Sequence, residues 1–140
     1  MQYVYPAVFY KDKELKNTWT AIIPDFEGCA TFGLSLYNAM EMAEDALSGL
    51  LVSLEDENEP IKEPTPLEEV SAEPDEFSDK VVATLIKVDT DEFRNNPKNV
   101  SKIDDDTIMP NTLVKELCRV AGIDFNEILA NDKERELAVV

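Results

Sequence analysis

An acidic, proline-rich segment at residues 55–79 separates the apolar residues of this 140-residue chain into groups. The segment holds eleven Asp and Glu residues against one Lys, together with four of the eight prolines. Such a composition cannot bury enough apolar surface to order itself, so we interpret it as a connecting arm that solvent surrounds. The fold must therefore come from the residues on either side, which suffice for one modest core and an appendage.

The charge of the chain is strongly negative and unevenly distributed. Thirty acidic residues stand against 13 basic ones, which gives a formal net charge of −17 at pH 7. Residues 1–92 hold 21 acids and 6 bases, a balance of −15, whereas residues 93–140 hold 9 and 7, a balance of −2. This split indicates two parts with different roles. It excludes a general attraction of the whole chain to nucleic acid and favours a basic partner protein.

The chain contains no histidine and two cysteines, Cys29 and Cys118. The usual general base, the Ser-His-Asp and Cys-His systems and the commonest zinc ligand are therefore missing, and any catalysis would rest on carboxylates. The cysteine spacing predicts neither a disulfide framework nor a metal site, so we expect no cofactor. The first residues lack a signal-peptide pattern, and no apolar run approaches the ~18 residues of a membrane span. We expect a cytoplasmic protein without a membrane partner.

The first part has the pattern of three strands, one helix and a fourth strand. Strands are predicted at residues 3–10, 18–23, 29–32 and 81–88 from apolar alternation and β-branched residues. Behind the N-cap Ser35, apolar residues recur at steps of three and four as far as Leu54, which predicts an amphipathic helix. The fold class is therefore α+β, with one helix packed on one face of a small, mainly antiparallel sheet.

The second part has the pattern of a short strand, a helix, a tight turn and a second helix. A strand at residues 107–109 stops at Pro110, Asn111 caps a helix, and Gly122 ends it. Asp124 and Glu127 then have capping-box spacing. A unit of roughly 35 residues is too small to bury a core alone, so we expect it to pair with a second copy. The predicted dimerisation residues are Leu113, Leu117, Val120, Ile128 and Leu129.

Several motifs of the first part occur in the order YPAVF, IIPDFEGCATFG, AMEMAEDALSGLL and EDENEPIKEPTP. Over residues 3 to about 66 this order resembles the HicB antitoxin family, and KVDTDEFR extends the likeness past residue 90. The resemblance implies a degraded, partial ribonuclease-H-like domain that is not an enzyme. It also implies a partner, a small basic HicA-like toxin that cleaves mRNA and whose active surface the domain covers.

The segment IMPNTLVKELCRVAGIDFNEIL resembles the ribbon-helix-helix unit that often forms the tail in this family. The resemblance implies a paired strand that enters the major groove of operator DNA, homo-oligomerisation through the tail, and repression of the protein's own operon. Asp104, Asp105 and Asp106 depart from the pattern, because aspartates on the ribbon would repel phosphates. The candidate DNA-binding residues are Lys102, Ile108, Asn111, Phe125 and Asn126.

These patterns predict a division into three ranges. Residues 1–90 form the toxin-neutralising domain, with the acidic arm at 55–79; residues 91–102 are a linker; and residues 103–140 are the dimerisation and DNA-binding unit. The candidate toxin-binding residues lie in the second turn and on the polar face of the helix: Asp25, Phe26, Glu27, Glu41, Glu44 and Asp45.

Two other functions compete with the antitoxin interpretation. One is a DNA-binding transcriptional regulator without a toxin partner, acting through the tail alone. The other is a metal-dependent ribonuclease in which Asp25, Glu27 and further acids hold a divalent ion. The sequence disfavours the ribonuclease, because its acids lie mostly in a turn, on a solvated helix face and in the arm. A short neighbouring reading frame for a basic protein with one histidine would favour the antitoxin.

Overall fold

A computed structural model describes residues 1–96 and 108–128. Its strands are β1 (Gln2–Asp12), β2 (Trp19–Ile22), β3 (Ala30–Gly33) and β4 (Ser78–Asp89). Its helices are α1 (Leu36–Asp56), α2 (Thr90–Asn95) and α3 (Asn111–Ala121), with a one-turn 3-10 helix at Leu67–Glu69 and a further helical turn at residues 125–128. No helix in these described ranges is long and apolar enough to cross a membrane.

The four strands form one antiparallel sheet in the order β3-β2-β1-β4. β1 is central because its apolar residues fill both faces, and Val8 stands opposite both Ile22 of β2 and Ala83 of β4. β2 pairs with β1 only from Val8 onward, whereas β4 pairs with β1 from Gln2 to Asp12. The α+β class and the mainly antiparallel sheet are thus confirmed.

Helix α1 covers one face of the sheet, as its apolar stripe predicts. Ser35 caps it by accepting a hydrogen bond from the Asn38 N–H at 2.9 Å, and the Asn38 side chain accepts one from the Leu34 N–H at 3.0 Å. The stripe consists of small residues near the start and leucines further on, and it packs against alternate residues of the strands. Its buried members are Ala39, Ala43, Leu47 and Leu51, and those of the strands include Tyr5, Ala7, Phe9, Ala21 and Ile86.

The junction between β3 and α1 is very tight at Gly33. A Cβ atom at this position would overlap the backbone of Asn38 and Ala39, so the helix can start directly above the strand only when this residue has no side chain. Gly33 also stands opposite Trp19 in the sheet. The predicted end of the third strand at Gly33 is confirmed, and close packing against α1 explains it.

The second face of the sheet is partly covered as well, which the single-helix prediction did not foresee. Val8 and Thr20 are almost fully buried on this face. Helix α3 contacts β2 and β3, and it lines one cavity with Tyr10 and Ile22 of the same face. Residues of the arm complete that side. The sheet therefore lies between α1 on one face and the arm with α3 on the other.

Most residues of the acidic arm are exposed, as expected, but the arm follows a defined path and contacts the rest of the chain, so the prediction of a spacer without partners is wrong. Its first two residues belong to α1, which continues to Asp56. Ile61 then packs against the core, the Tyr5 hydroxyl donates to the Lys62 carbonyl, and the 3-10 helix lies against β4. Composition failed here because it counts only the arm's own apolar residues. The arm gains its order from contacts with the rest of the chain.

Helix α2 occupies the first part of the predicted linker and docks on α1. Arg94 pairs with Glu55 at 3.2 Å and with Asp56 at 2.8 Å. The N-terminal ammonium group lies 2.7 Å from Asp91. Residues 97–102, the rest of that linker, lie outside the described residues.

The tail begins differently from the prediction at its first helix. Pro110 occupies the N-cap position of α3 and Asn111 is the first helical residue, so the predicted Asn111 cap is wrong. Gly122 ends the helix with a φ of 73°, as predicted, because glycine adopts this left-handed conformation without strain. Of the predicted strand at residues 107–109, Ile108 and Met109 are not part of any strand within residues 108–128, and Thr107 lies outside the described residues.

Candidate functional site

Asp25, in the turn between β2 and β3, is held by the acidic arm. Its side chain has no solvent-exposed surface. One carboxylate oxygen accepts from the Thr65 hydroxyl at 2.6 Å and lies 2.8 Å from Lys62 Nζ, and the other accepts from the Thr65 N–H at 3.1 Å. Three donors from two arm residues therefore satisfy one buried carboxylate, and they fasten the arm across the end of β2.

The charge state of Asp25 follows from these partners. Burial alone would raise the pKa of its carboxyl group, but the hydrogen bonds from Lys62 and Thr65 outweigh burial and lower it below its usual value. The carboxylate is thus ionised and occupied by the chain's own arm. Across the described residues, no three or more Asp, Glu, His or Cys side chains converge as a metal site would require.

Phe26 and Glu27, the neighbours of Asp25, are placed differently. The Phe26 ring packs edge-on against Tyr5, with ring centroids 4.9 Å apart, and is half-buried. The Glu27 side chain is 77% exposed, and its carboxylate lies 3.8 Å from Arg119 of α3. Of the three turn candidates, Glu27 therefore offers the accessible charge.

An acidic groove lies between α1 on one side and the C-terminal end of β4 with helix α2 on the other. Its acidic lining residues are Glu44, Asp45, Asp89 and Glu92. The structure thus brings two of the candidate toxin-binding residues of α1 close to two acidic residues from the junction of β4 and α2. Glu41, the third α1 candidate, is not among its lining residues, and neither is any candidate of the turn. The remaining lining residues are Ser48, Lys87, Val88, Phe93 and Asn96.

Asp89 is fixed in the groove because it caps α2. Its carboxylate accepts from the Asp91 N–H at 2.9 Å and from the Glu92 N–H at 3.4 Å. Burial acts to raise the pKa of Asp89, but these two N–H groups and the N-terminal ammonium together lower it. Sequence reasoning missed Asp89 and Glu92 as site residues. Their capping-box spacing directly after a strand was the available signal.

The groove is suited to bind cationic side chains. Four carboxylate residues and one lysine line it, and it belongs to a chain with a net charge of −17. Acids gathered in a concave surface concentrate the negative potential and accelerate association with a positively charged partner. Val88 and Phe93 add apolar lining, which can contact the aliphatic part of a Lys or Arg side chain.

The DNA-binding candidates lie in different environments. Ile108 is 69% exposed, Asn126 is exposed and Asn111 is half-buried. Phe125 packs edge-on against Phe77 at the end of the arm, with ring centroids 5.6 Å apart. Lys102 lies outside the described residues.

The predicted dimerisation stripe is only partly free. Leu113 is 3% exposed because α3 packs on the chain's own sheet, whereas Leu117 and Val120 are 36% and 37% exposed. Ile128 is half-buried, and Leu129 lies outside the described residues. Among the described residues of the stripe, Leu117 and Val120 thus keep about a third of their surface exposed, whereas Leu113 is buried within its own chain.

The comparisons with known proteins agree on one family. A family model described as the HicB-like antitoxin of bacterial toxin-antitoxin systems matches residues 5–126. Three solved structures are similar in fold. One is a toxin-antitoxin complex from Streptococcus pneumoniae, with 21% identity, a TM-score of 0.58, and coverage of 97% of this chain and 99% of that chain.

The other two structures are of the antitoxin HicB of Burkholderia pseudomallei. Its N-terminal domain shares 23% identity with a TM-score of 0.51, covering 62% of this chain and 99% of that chain. The longer HicB structure shares 19% identity with a TM-score of 0.53, covering 96% of both chains. A search of curated proteins found no match. With the family model spanning most of its length, the chain belongs to the HicB-like antitoxin family of bacterial toxin-antitoxin systems.

Proposed function

We propose that this protein is a non-enzymatic antitoxin that neutralises a small basic HicA-like, mRNA-cleaving toxin through the acidic groove. The observation that carries the proposal is the convergence of Glu44, Asp45, Asp89 and Glu92 from three elements into one concave surface. A toxin that binds RNA needs a basic surface to contact phosphates. The groove offers carboxylates to the same cations, so toxin bound here cannot bind its substrate.

The neutralising unit that we propose is residues 1–96. Helix α2 contributes Glu92 to the groove and is fastened to α1 through Arg94, so a unit that ended at residue 90 would lose one wall. The similarity of 62% of the chain to a separately solved N-terminal domain supports a unit of about this size. Asp25 has no part in the proposed contact, because its carboxylate is buried under the arm.

Residues 1–96 expressed alone are expected to rescue cells from the co-expressed toxin, whereas residues 97–140 are not. The reason is that the first fragment keeps all four acids of the groove and a balance of −15 over residues 1–92. Growth curves of cells that carry the toxin with each fragment measure this. Immunoblots of both fragments serve as the control for expression. Rescue by the tail with failure of a stably folded 1–96 fragment would contradict the proposed roles.

For the tail we propose pairing between chains and, through it, weak autorepression at operator DNA. The one-third exposure of Leu117 and Val120 supports a contact with a second copy. The ribbon that the family resemblance implies would carry Asp104 and Asp106, which lie outside the described residues. Their charge opposes that of phosphate, so operator binding should be weak and easily reduced by salt.

Replacing Asp104 by Thr and Asp106 by Lys should strengthen operator binding and steepen its salt dependence. Each new phosphate contact releases roughly one more counterion, so the slope of log K against log salt should become more negative by about one. Fluorescence anisotropy with a promoter fragment at several salt concentrations measures both quantities. Nanomolar binding by the unchanged chain at physiological salt, weakened by the replacements, would mean that the aspartates face away from DNA.

A further inference from the structure

Among residues 1–96 and 108–128, strand β4 has one edge that pairs with no other strand. It lies at one side of the sheet, and within the described residues β1 is its only strand partner, along nearly its whole length. An edge strand leaves alternate N–H and C=O groups pointing outward, which can pair with another strand. Two apolar side chains of β4 are also exposed, Val82 by 39% and Leu85 by 49%. The edge thus combines free backbone groups with uncovered apolar surface.

The sequence of β4 is complementary to itself when read in the opposite direction. Consider two copies of β4 that pair antiparallel about a two-fold axis at Ala83. Asp79 of each copy then stands opposite Lys87 of the other, and Val81 of each copy stands opposite Leu85 of the other. Opposite charges and apolar pairs directly across strands stabilise a sheet. Asp79 is the extra residue where the register with β1 shifts, and the long side chain of Lys87 can reach a carboxylate there.

The neighbouring symmetric registers are less favourable. Moving the centre to Thr84 brings Asp79 opposite Asp89, which sets like charges against each other twice. Moving it to Val82 places Asp79 opposite Leu85 and leaves Lys87 without an acid across from it. The charge pattern therefore selects the register centred on Ala83 and a second copy of this chain as the partner.

We propose that β4 pairs with β4 of a second copy, antiparallel about a two-fold axis at Ala83, and so joins the two sheets into one of eight strands. The contact covers Leu85 of each chain with Val81 of the other. It adjoins the acidic groove at Lys87, which lines the groove and faces Asp79 of the second copy. It does not use α3, so it does not depend on the tail. Two different two-fold contacts, this one and a paired tail, would close four chains into a tetramer.

The net charge of −17 opposes this association through repulsion between chains. The Debye length is about 8 Å at 0.15 M ionic strength, so the repulsion between distant charges is largely screened there. Association of the full-length chain is therefore expected at about this ionic strength, where it can be tested.

A cysteine cross-link tests the contact and its register together. Directly opposite residues on paired strands have Cβ atoms about 4.5–5.5 Å apart, so Ala83→Cys should form an intermolecular disulfide under mild oxidation after a small adjustment. Leu85→Cys is the matched control. In this register the two residues 85 are displaced by four positions along the strands, about 13 Å, which a disulfide cannot span. The native Cys29 and Cys118 are buried.

The expected result is a disulfide-linked dimer of the Ala83→Cys chain that forms about tenfold or more faster than that of the Leu85→Cys chain. Equal rates, or no dimer with either variant, would overturn the proposal. Adding Lys87→Glu to the Ala83→Cys chain should slow the cross-link, because two attractive pairs become repulsive. Adding Asp79→Lys as well should restore it at the original net charge. Failure of that restoration would also overturn the proposed register.

Discussion

Leu47→Ala should lower the free energy of unfolding by about 2–5 kcal/mol, the range found when a fully buried leucine is truncated and leaves a cavity. Leu47 is 0% exposed and lies in the middle of the α1 stripe, between the sheet and the neighbouring turns of the helix. Its removal should therefore weaken the whole core and not one element. Urea denaturation followed by circular dichroism measures the change.

Leu34→Ala is the control for this prediction. Leu34 precedes α1 and is 53% exposed, so the same chemical change should cost less than about 0.5 kcal/mol. If both variants unfolded at the same urea concentration as the original chain, the packing of α1 on the sheet would not be the main source of stability.

Asp25→Ala should release the acidic arm and cost about 1–3 kcal/mol, because it leaves the Thr65 N–H and hydroxyl without their buried acceptor. The Lys62 pair adds little to that figure, since the Lys62 side chain is 58% exposed and solvent screens it. Hydrogen exchange should become faster within residues 60–77 and stay slow in β1. Thr65→Val provides a double-mutant cycle, in which the two effects should be clearly less than additive.

The same contact predicts a pH dependence. The pKa of Asp25 is lower in the folded chain than its usual value of 3.8, so its contribution is fully present well above that pH. The contribution should disappear as the pH falls through the lowered pKa, and the arm of the original chain should then exchange as fast as in the Asp25→Ala variant. An arm that exchanges equally slowly in both chains at neutral pH would contradict the role given to Asp25.

The elements that the sequence predicted best are those with local causes. The four strands followed from alternation and β-branched residues, and α1 followed from its stripe and the Ser35 cap, all of which act within a few residues. The order of the arm could not be predicted in this way. Asp25 and Thr65 are 40 positions apart, and nothing local in either segment indicates that they meet.

The candidate site was predicted in part for the same reason. Glu44 and Asp45 lie on the polar side of α1, and the spacing of the apolar residues in the sequence predicts which side that is. Their neighbours across the groove come from β4 and α2, and only the pairing of β4 with β1 brings them there. The docking of α3 on the second face of the sheet could not be predicted either. The apolar stripe of α3 is equally compatible with packing on its own sheet and with packing on another chain.

The most direct test of the central claim is the affinity of the full-length chain for its purified toxin, measured by calorimetry at low and physiological salt. Asp45→Lys with Glu92→Lys reverses two charges of the groove, and Glu63→Lys with Glu68→Lys makes the same net change on exposed arm residues. We predict that the groove variant raises Kd by about tenfold or more, equivalent to 1.4 kcal/mol, and the arm variant by much less. Equal losses, or no loss at all, would contradict the groove as the site of neutralisation.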